Sequence, residues 1–410
     1  MRLMGRAPHL LSATLLVGAL ACQGKASADG PWVGTIDSLG DTVVVTTVRG
    51  GTWGRSAAIQ VDSAQILWDG GSLRPRTPIA VGDDGTIYAA EPSQLDVIRP
   101  DGSAGPAIGR AGEGPGEFKD IAGVYASGDS LLVWDRGNRR LTLLDRAGHL
   151  IANRRVDFPA GLQGPQPIAL YPNPDGILMA WDRGIVAPDA APDTFAVLAG
   201  KFSEDPTGWR AVAHLRGLQW TRIGAMLAPK HLFGERPIVA AGPGGAFAVA
   251  QGVEYRVDRG TASSPRVVRI VRRWDPVPVR SAIAEVPESV SRRLPPTLRQ
   301  LIKDLASAGA YGEVRNSIDE LRLDDAQRLW VRIETSADTL NPMLSFWYPE
   351  GRAPHYQWDL YGSDGRRLGA VALPSRFTPG AFRRGVVYGI YEEESGNNAV
   401  ARIELPPAAR

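Results

Sequence analysis

A single cysteine in 410 residues excludes any disulfide within this chain, so packing and hydrogen bonding must hold it together. Lysine is nearly as scarce: only five of the 46 basic residues are lysine and the rest are arginine. There is no His-x-His, no His-Glu-x-x-His and no Gly-x-Ser-x-Gly, so the local signatures of a zinc centre and of a serine-nucleophile elbow are missing. No apolar run reaches the ~20 residues that a membrane-spanning helix needs. The longest, Leu10–Leu20, has about eleven. Charge of one sign is lacking too. Without residues 1–21 the chain carries 44 basic and 44 acidic side chains, and its Arg-Arg pairs at 272, 292, 366 and 383 are scattered among acids. A nucleic-acid binder would show a clustered basic excess, so no nucleic-acid partner is expected.

What is present begins with a targeting segment. Arg2 and Arg6 precede the apolar run, and Ala19-Leu20-Ala21-Cys22 follows it. That tetrapeptide resembles a lipobox, the signal at which bacterial lipoproteins are cut and acylated on cysteine, although leucine is usual where Ala19 stands. The resemblance implies a signal peptide at 1–21, lipid attachment at Cys22, a linker at 22–31 and a single folded domain at 32–410. Gln23, where an aspartate would favour inner-membrane retention, points to the outer membrane, on its periplasmic or surface face. The competing reading is plain secretion with cleavage after Ala26-Ser27-Ala28, a small-x-small site.

Glycine and proline together make up 79 of the 410 residues, about a fifth against a usual ~12%, yet 43% of the chain is hydrophobic. Disorder is therefore excluded, and many short strands joined by tight turns are implied. One phrase recurs: an apolar strand, a Gly/Asp turn, a hydrophobic strand, a polar hairpin and a further strand ending in a turn. It occupies Ile79–Gly109, Ile121–Val156, Pro167–Leu215, Pro237–Trp274, Ile318–Leu373 and Phe377–Leu405. The last unit stops after its third strand. Ala64–Trp68, which precedes the first unit, is expected to complete it and cover its edge. Thr42–Val48 also reads as a strand, with no partner indicated.

The segment Gly109–Asp145, GRAGEGPGEFKDIAGVYASGDSLLVWDRGNRRLTLLD, resembles the repeats of NHL-like and TolB-like six-bladed β-propeller lipoproteins. The resemblance implies an all-β propeller of six four-stranded blades. In it, GEGPGEF is an inter-blade connection with Phe118 as a plug, and Asp135, Asn138 and Arg139 brace a hairpin. The glycine run is not a phosphate loop: it lacks Gly-Lys-Ser/Thr, and Pro115 removes an amide donor. WDRG recurs at Trp134–Gly137 and Trp181–Gly184 in equivalent hairpins, as duplicated blades would have it, and Arg136 and Arg183 are named as the candidate ligand-binding residues. Ser281–Tyr311 interrupts the repeat. Leu298, Leu301, Ile302 and Leu305 share one helical face after Thr297 as N-cap, so a helical insertion is expected between the fourth and fifth blades.

No catalytic residues and no metal ligands are assigned. His149, His214, His231 and His355 stand apart in sequence. Asp83, Asp175, Asp324 and Asp364 lie in turns, from which a Ca²⁺ site at a channel mouth could still be assembled. Glu392–Glu394 reads as a solvated hairpin tip. The expectation is a non-enzymatic, lipid-anchored envelope module that binds a protein, peptide or glycan. The alternative is a metal-dependent hydrolase or lyase of the lactonase or NHL-lyase kind.

Overall fold

Short hydrophobic strands bounded by Asp-Gly turns can be stable only when each sheet is packed on both faces, and a ring of sheets achieves that. In the computed structural model the described residues are 30–156, 167–173, 176–181, 194–200, 209–217, 220–223, 226–229, 236–275, 278, 288, 292, 294–307, 314–333 and 354–409, with gaps at 56 and 252–253. They form an all-β propeller of six blades.

Blade 2 shows the unit most plainly. Ile121–Ser127, Ser130–Asp135, Arg140–Asp145 and Leu150–Arg155 pair antiparallel in sequence order. Leu131, Leu132, Val133 and Trp134 are all buried, on both faces of the sheet, because a neighbouring blade lies on each side. Blade 3 (first strand Pro167–Asn173), blade 4 (Ile238–Ala241) and blade 5 (Ile318–Leu323) repeat this order. Blade 1 departs from the expected four strands. Ile79–Val81, Ile87–Ala90 and Leu95–Ile98 form a three-stranded sheet, and the fourth position is reduced to the bridges Leu95–Ile108 and Ile98–Ala104.

Among the described residues the hydrophobic interior divides into six clusters, one at each blade junction. Ala80 and Leu95 meet Phe118 and Leu131 between blades 1 and 2. Leu132 and Trp134 meet Trp209 between blades 2 and 3, and Val197 meets Phe247 between blades 3 and 4. Val257 meets Leu321 and Val331 between blades 4 and 5, and Trp330 and Trp358 meet Val387 between blades 5 and 6. Ile79 and Ile87 meet Ile390 and Val400, and this last junction closes the ring.

The N-terminal region wraps the outside of three blades. Gln65–Trp68 pairs antiparallel with Asn398–Glu404 and supplies the missing fourth strand of blade 6, as the truncated last repeat required. The hairpin Val33–Leu39/Thr42–Arg49 extends blade 4 by parallel pairing with Val267–Arg272. Ile59–Gln60 does the same for blade 5. Val45 and Thr47 are buried by this docking, so the β-branched run Thr42–Val48 finds its partner on a distant sheet.

The insertion contains one described helix, α1, Pro296–Ser307. It starts one residue before the expected cap, with proline at its first position, where a missing N–H costs nothing. Ile302 is buried, and Leu298 and Leu301 are half-buried, in keeping with the apolar face.

Candidate functional site

The first strand of each blade is hydrogen-bonded on one side only. Its other edge turns to the ring axis. A channel with a cavity volume of about 660 Å³ runs there, lined by segments of blades 1, 2, 4, 5 and 6. Topology makes its two mouths unequal. Connections between blades, and between second and third strands, emerge where the inner strands begin. The remaining turns emerge at the other end. The connections 109–120, 182–193, 217–237, 273–317 and 334–354 belong to the first kind. The turn face is closed by tight hairpins such as Gly82–Thr86, where Gly85 takes φ +85° and the Thr86 N–H binds Asp84.

The channel wall at the loop face is charged. Arg236, just ahead of the inner strand of blade 4, pairs with Asp319 and donates to the Asp319 carbonyl at 2.9 Å. Arg332 pairs with the same carboxylate while its guanidinium lies 4.4 Å from the centre of the Tyr356 ring. Glu320 accepts from Arg322 Nε at 2.7 Å. Arg76, ahead of the inner strand of blade 1, is exposed and lines the same cavity. Near the turn face the lining carboxylates serve structure. Asp324 is 1% exposed and accepts from the Ala326 and Arg328 N–H groups, Arg328 Nε (2.6 Å) and Trp330 Nε1 (3.0 Å). Asp325 accepts from the Arg384 N–H at 2.7 Å.

Of the residues singled out from sequence, Arg136 lies on the loop face, in the hairpin between the second and third strands of blade 2. It does not line the channel: its Nε donates to Asp120 Oδ2 at 2.5 Å. Arg183, Cys22, Asp175 and His231 lie outside the described residues. The bracing implied for Asp135 and Asn138 is present. Asp135 accepts from the Asp120 and Asn138 N–H groups at 3.1 and 3.2 Å, and Asn138 Nδ2 donates to the Gly112 carbonyl at 2.9 Å. Arg140, the residue after Arg139, straps the glycine loop. Arg140 donates to the carbonyls of Glu113 and Glu117 at 2.9 and 2.5 Å, whereas Arg139 takes the left-handed turn position at φ +49°. Phe118 is fully buried between blades 1 and 2, as a plug would be.

Asp83 is paired with Arg146 at 3.6 Å and with Arg383, and Asp364 accepts from the Arg366 N–H at 3.0 Å. His149 contacts Asp145 at 2.9 Å, and His355, at the start of the third strand of blade 5, contacts Asp62 at 3.2 Å. Among the described residues, no three His, Cys, Asp or Glu side chains come together in an arrangement that could hold a metal ion.

Two features escaped the sequence reading. One is the set of channel arginines. The other is a buried cluster between blades 4 and 5, where Asp359 takes Arg272, Arg367 and the Tyr255 hydroxyl (3.0 Å) as donors, and Tyr361 donates to Tyr255 at 2.8 Å. Burial opposes the charge on Asp359, but the two guanidiniums and these hydrogen bonds outweigh it and hold its carboxyl below the usual range. The only sequence signal was an acid in an otherwise apolar stretch, WDLY, at the end of its strand.

No protein-family model and no curated protein matches this chain. Its fold is similar to that of a DUF4221-family member from Bacteroides vulgatus, at 10% identity over 83% of this chain and 94% of that one, with a TM-score of 0.50. An exported protein of Bacteroides fragilis matches at 11% identity over 85% and 96% of the two chains, with a TM-score of 0.45. A gluconolactonase from Xanthomonas campestris matches at 15% identity over 83% and 88%, with a TM-score of 0.40. At such identities the likeness speaks for the fold alone.

Proposed function

We propose that this chain is a lipid-anchored envelope β-propeller that binds a protein, peptide or glycan at its loop face. The observation that carries the reading is the asymmetry of the disc. The chain leaves the sheets for the long connections 182–193, 217–237, 273–317 and 334–354 at one end of the channel, whereas hairpins such as Gly82–Thr86 turn tightly at the other. Rigid scaffolds place recognition in loops of this kind. The apolar segment and Cys22 supply the export and anchoring part of the reading, with 22–31 as the tether and 32–410 as the module.

The test is capture from an envelope extract by the immobilised protein. A variant with 182–193 replaced by a short Gly-Ser turn should lose the captured species. Arg146→Ala, on the turn face, should retain it. Equal capture by both variants overturns the loop-face assignment. A stoichiometric Ca²⁺ or Zn²⁺ that survives dialysis, together with chelator-sensitive hydrolysis of a lactone or ester, would replace this reading by that of a metal-dependent hydrolase or lyase.

A further inference from the structure

We infer that the edge strand Val33–Leu39 pairs with the same strand of a second copy of this chain, joining two discs rim to rim about a two-fold axis at Ile36. The inference does not depend on what the loop face binds. Its first support is where apolar surface remains. Among the described residues seven large hydrophobic side chains are markedly exposed, and four of them, Val33, Ile36, Leu39 and Val48, lie on the single hairpin Val33–Leu39/Thr42–Arg49. Leu39 is 74% exposed and Val48 62%. The hairpin docks on blade 4 through its second strand only, so its first strand stands outside the ring with both faces open. Aliphatic side chains gathered in that position mark a contact surface.

The second support is the edge itself. Val33–Leu39 is the last strand of its sheet, and among the described residues no backbone group bonds to its outer side. Outer strands are ordinarily guarded by charge, proline, a bulge or shortness. The others here follow that rule. Leu150–Arg155 of blade 2 ends in Arg154 and Arg155, and Arg210–Arg216 of blade 3 has an arginine at each end. Gln65–Trp68 has four residues and a register shift, and Ile59–Gln60 has two residues. Val33–Leu39 has seven residues, no basic side chain and no proline. The one irregularity of the hairpin places the extra residue, Val48, on the other strand, so Val33–Leu39 runs regularly. Trp32 turns away from the edge, covering Gly34 and donating from Nε1 to Thr47 at 3.0 Å.

The third support selects a second copy as the occupant. Two identical strands paired antiparallel about a two-fold normal to the sheet must centre on a residue, because opposed side chains share a face. Centred on Ile36, all seven residues pair: Val33 meets the second copy's Leu39, Thr35 meets its Asp37, and Ile36 meets its own counterpart. Apolar pairs then stand at the centre and at both ends, and the lone acid faces a hydroxyl. Centring on Asp37 would oppose two carboxylates. Centring on Thr35 would set Val33 against Asp37 and leave Leu39 unpaired. The joint lies at the outer end of the blade 4 sheet, away from the channel. Across it the two Val33 residues stand about 20 Å apart, at ~3.4 Å per residue. Linkers at 22–31 let both copies anchor in one membrane, where tethering raises their effective concentration.

The experiment uses the mature chain, residues 22–410, which holds every described residue. Cys22→Ala removes its only cysteine and any acyl group. Sedimentation equilibrium at about 100 µM should give twice the mass of the chain. Ile36→Lys should give the monomer with an unchanged melting temperature, because Ile36 is exposed. In the Cys22→Ala chain, Ile36→Cys should form a disulfide-linked dimer under mild oxidation, since the two sulfurs meet at the axis. Ser38→Cys, about 14 Å from its copy, should not. A wild-type mass of one chain overturns the inference, and a mass beyond two chains overturns the closed pair. A dimer that persists in Ile36→Lys places the contact elsewhere and overturns it too. Equal cross-linking of Ser38→Cys removes the two-fold at Ile36. Monomers that float with phosphatidylcholine vesicles, and cease to do so with Ile36→Lys or Leu39→Lys, overturn it in favour of a lipid surface. None of these outcomes touches capture at the loop face, which is read separately by replacing 182–193.

Discussion

Arg367 closes on Asp359 with two donors, Nη2 at 2.8 Å and Nε at 3.1 Å, in a pair that solvent scarcely reaches. The same arginine reaches back to the Gly50 carbonyl at 3.1 Å, and the same carboxylate accepts from Arg272 of the preceding blade. One acid thus ties blade 4, blade 5 and the N-terminal wrap together.

Replacing Asp359 by asparagine should cost about 3–5 kcal/mol, because the buried Arg367 and the half-buried Arg272 lose their counter-charge while the volume stays the same. Urea denaturation of wild type and variant measures this. A loss below about 1 kcal/mol would mean that water reaches the cluster and that the pair acts as a surface one.

The same cluster sets a pH window. Asp359 has a folded pKa below its unfolded value of ~3.9, so its contribution is complete above about pH 4 and is lost as pH falls through the folded value. Tyr255 and Tyr361 run the other way. Burial, and then the Asp359 charge, raise both above the ordinary ~10, so their contribution is complete below about pH 10 and is lost as pH rises toward the folded values. Thermal unfolding should show no slope from this cluster between about pH 5 and 9 and falling stability on either side. In Asp359→Asn the acid limb should flatten.

Two glycines in the loop between blades 1 and 2 should respond differently to alanine. At Gly109, φ is +88° and a Cβ would sit 2.5 Å from the Phe118 ring. At Gly116, φ is +72° with nothing within 4 Å. Gly116→Ala pays only for the left-handed backbone, about 1 kcal/mol. Gly109→Ala adds displacement of the plug and should cost about 3 kcal/mol. Comparing their denaturation midpoints tests Phe118 as a fixed wedge.

Cys22→Ala should move the protein from the membrane fraction to the soluble fraction and abolish uptake of labelled fatty acid. Unchanged fractionation with unchanged labelling would remove the lipid anchor from the proposed function and leave plain secretion.

Much of the architecture was legible in the residues. The six-fold phrase, the truncated last unit and the strand before the first unit specify a closed ring, because strand, turn and plug are local decisions made by neighbours in sequence. Phe118, Asp135 and Asn138 stand where the wording placed them. Arg140, which straps the glycine loop, was not singled out in the sequence, because its partners are backbone carbonyls at 113 and 117 that only the folded loop brings to it.

The sequence by itself determined the kind of object: short two-faced strands, the turns between them, the count of repeats and the helix in the fourth connection. Each of these follows from periodicity and backbone preference over fewer than about ten residues. Tertiary structure alone decided where distant charges meet. Arg272 and Asp359 are 87 residues apart, Arg236 and Asp319 are 83 apart, and Thr42–Arg49 found its edge on a strand beginning at Val267. An isolated arginine in a strand carries no mark of whether it will face water, a neighbouring blade or the channel. That depends on which sheet closes over it, and only the assembled ring supplies the burial and the partners that turn such residues into a latch or a mouth.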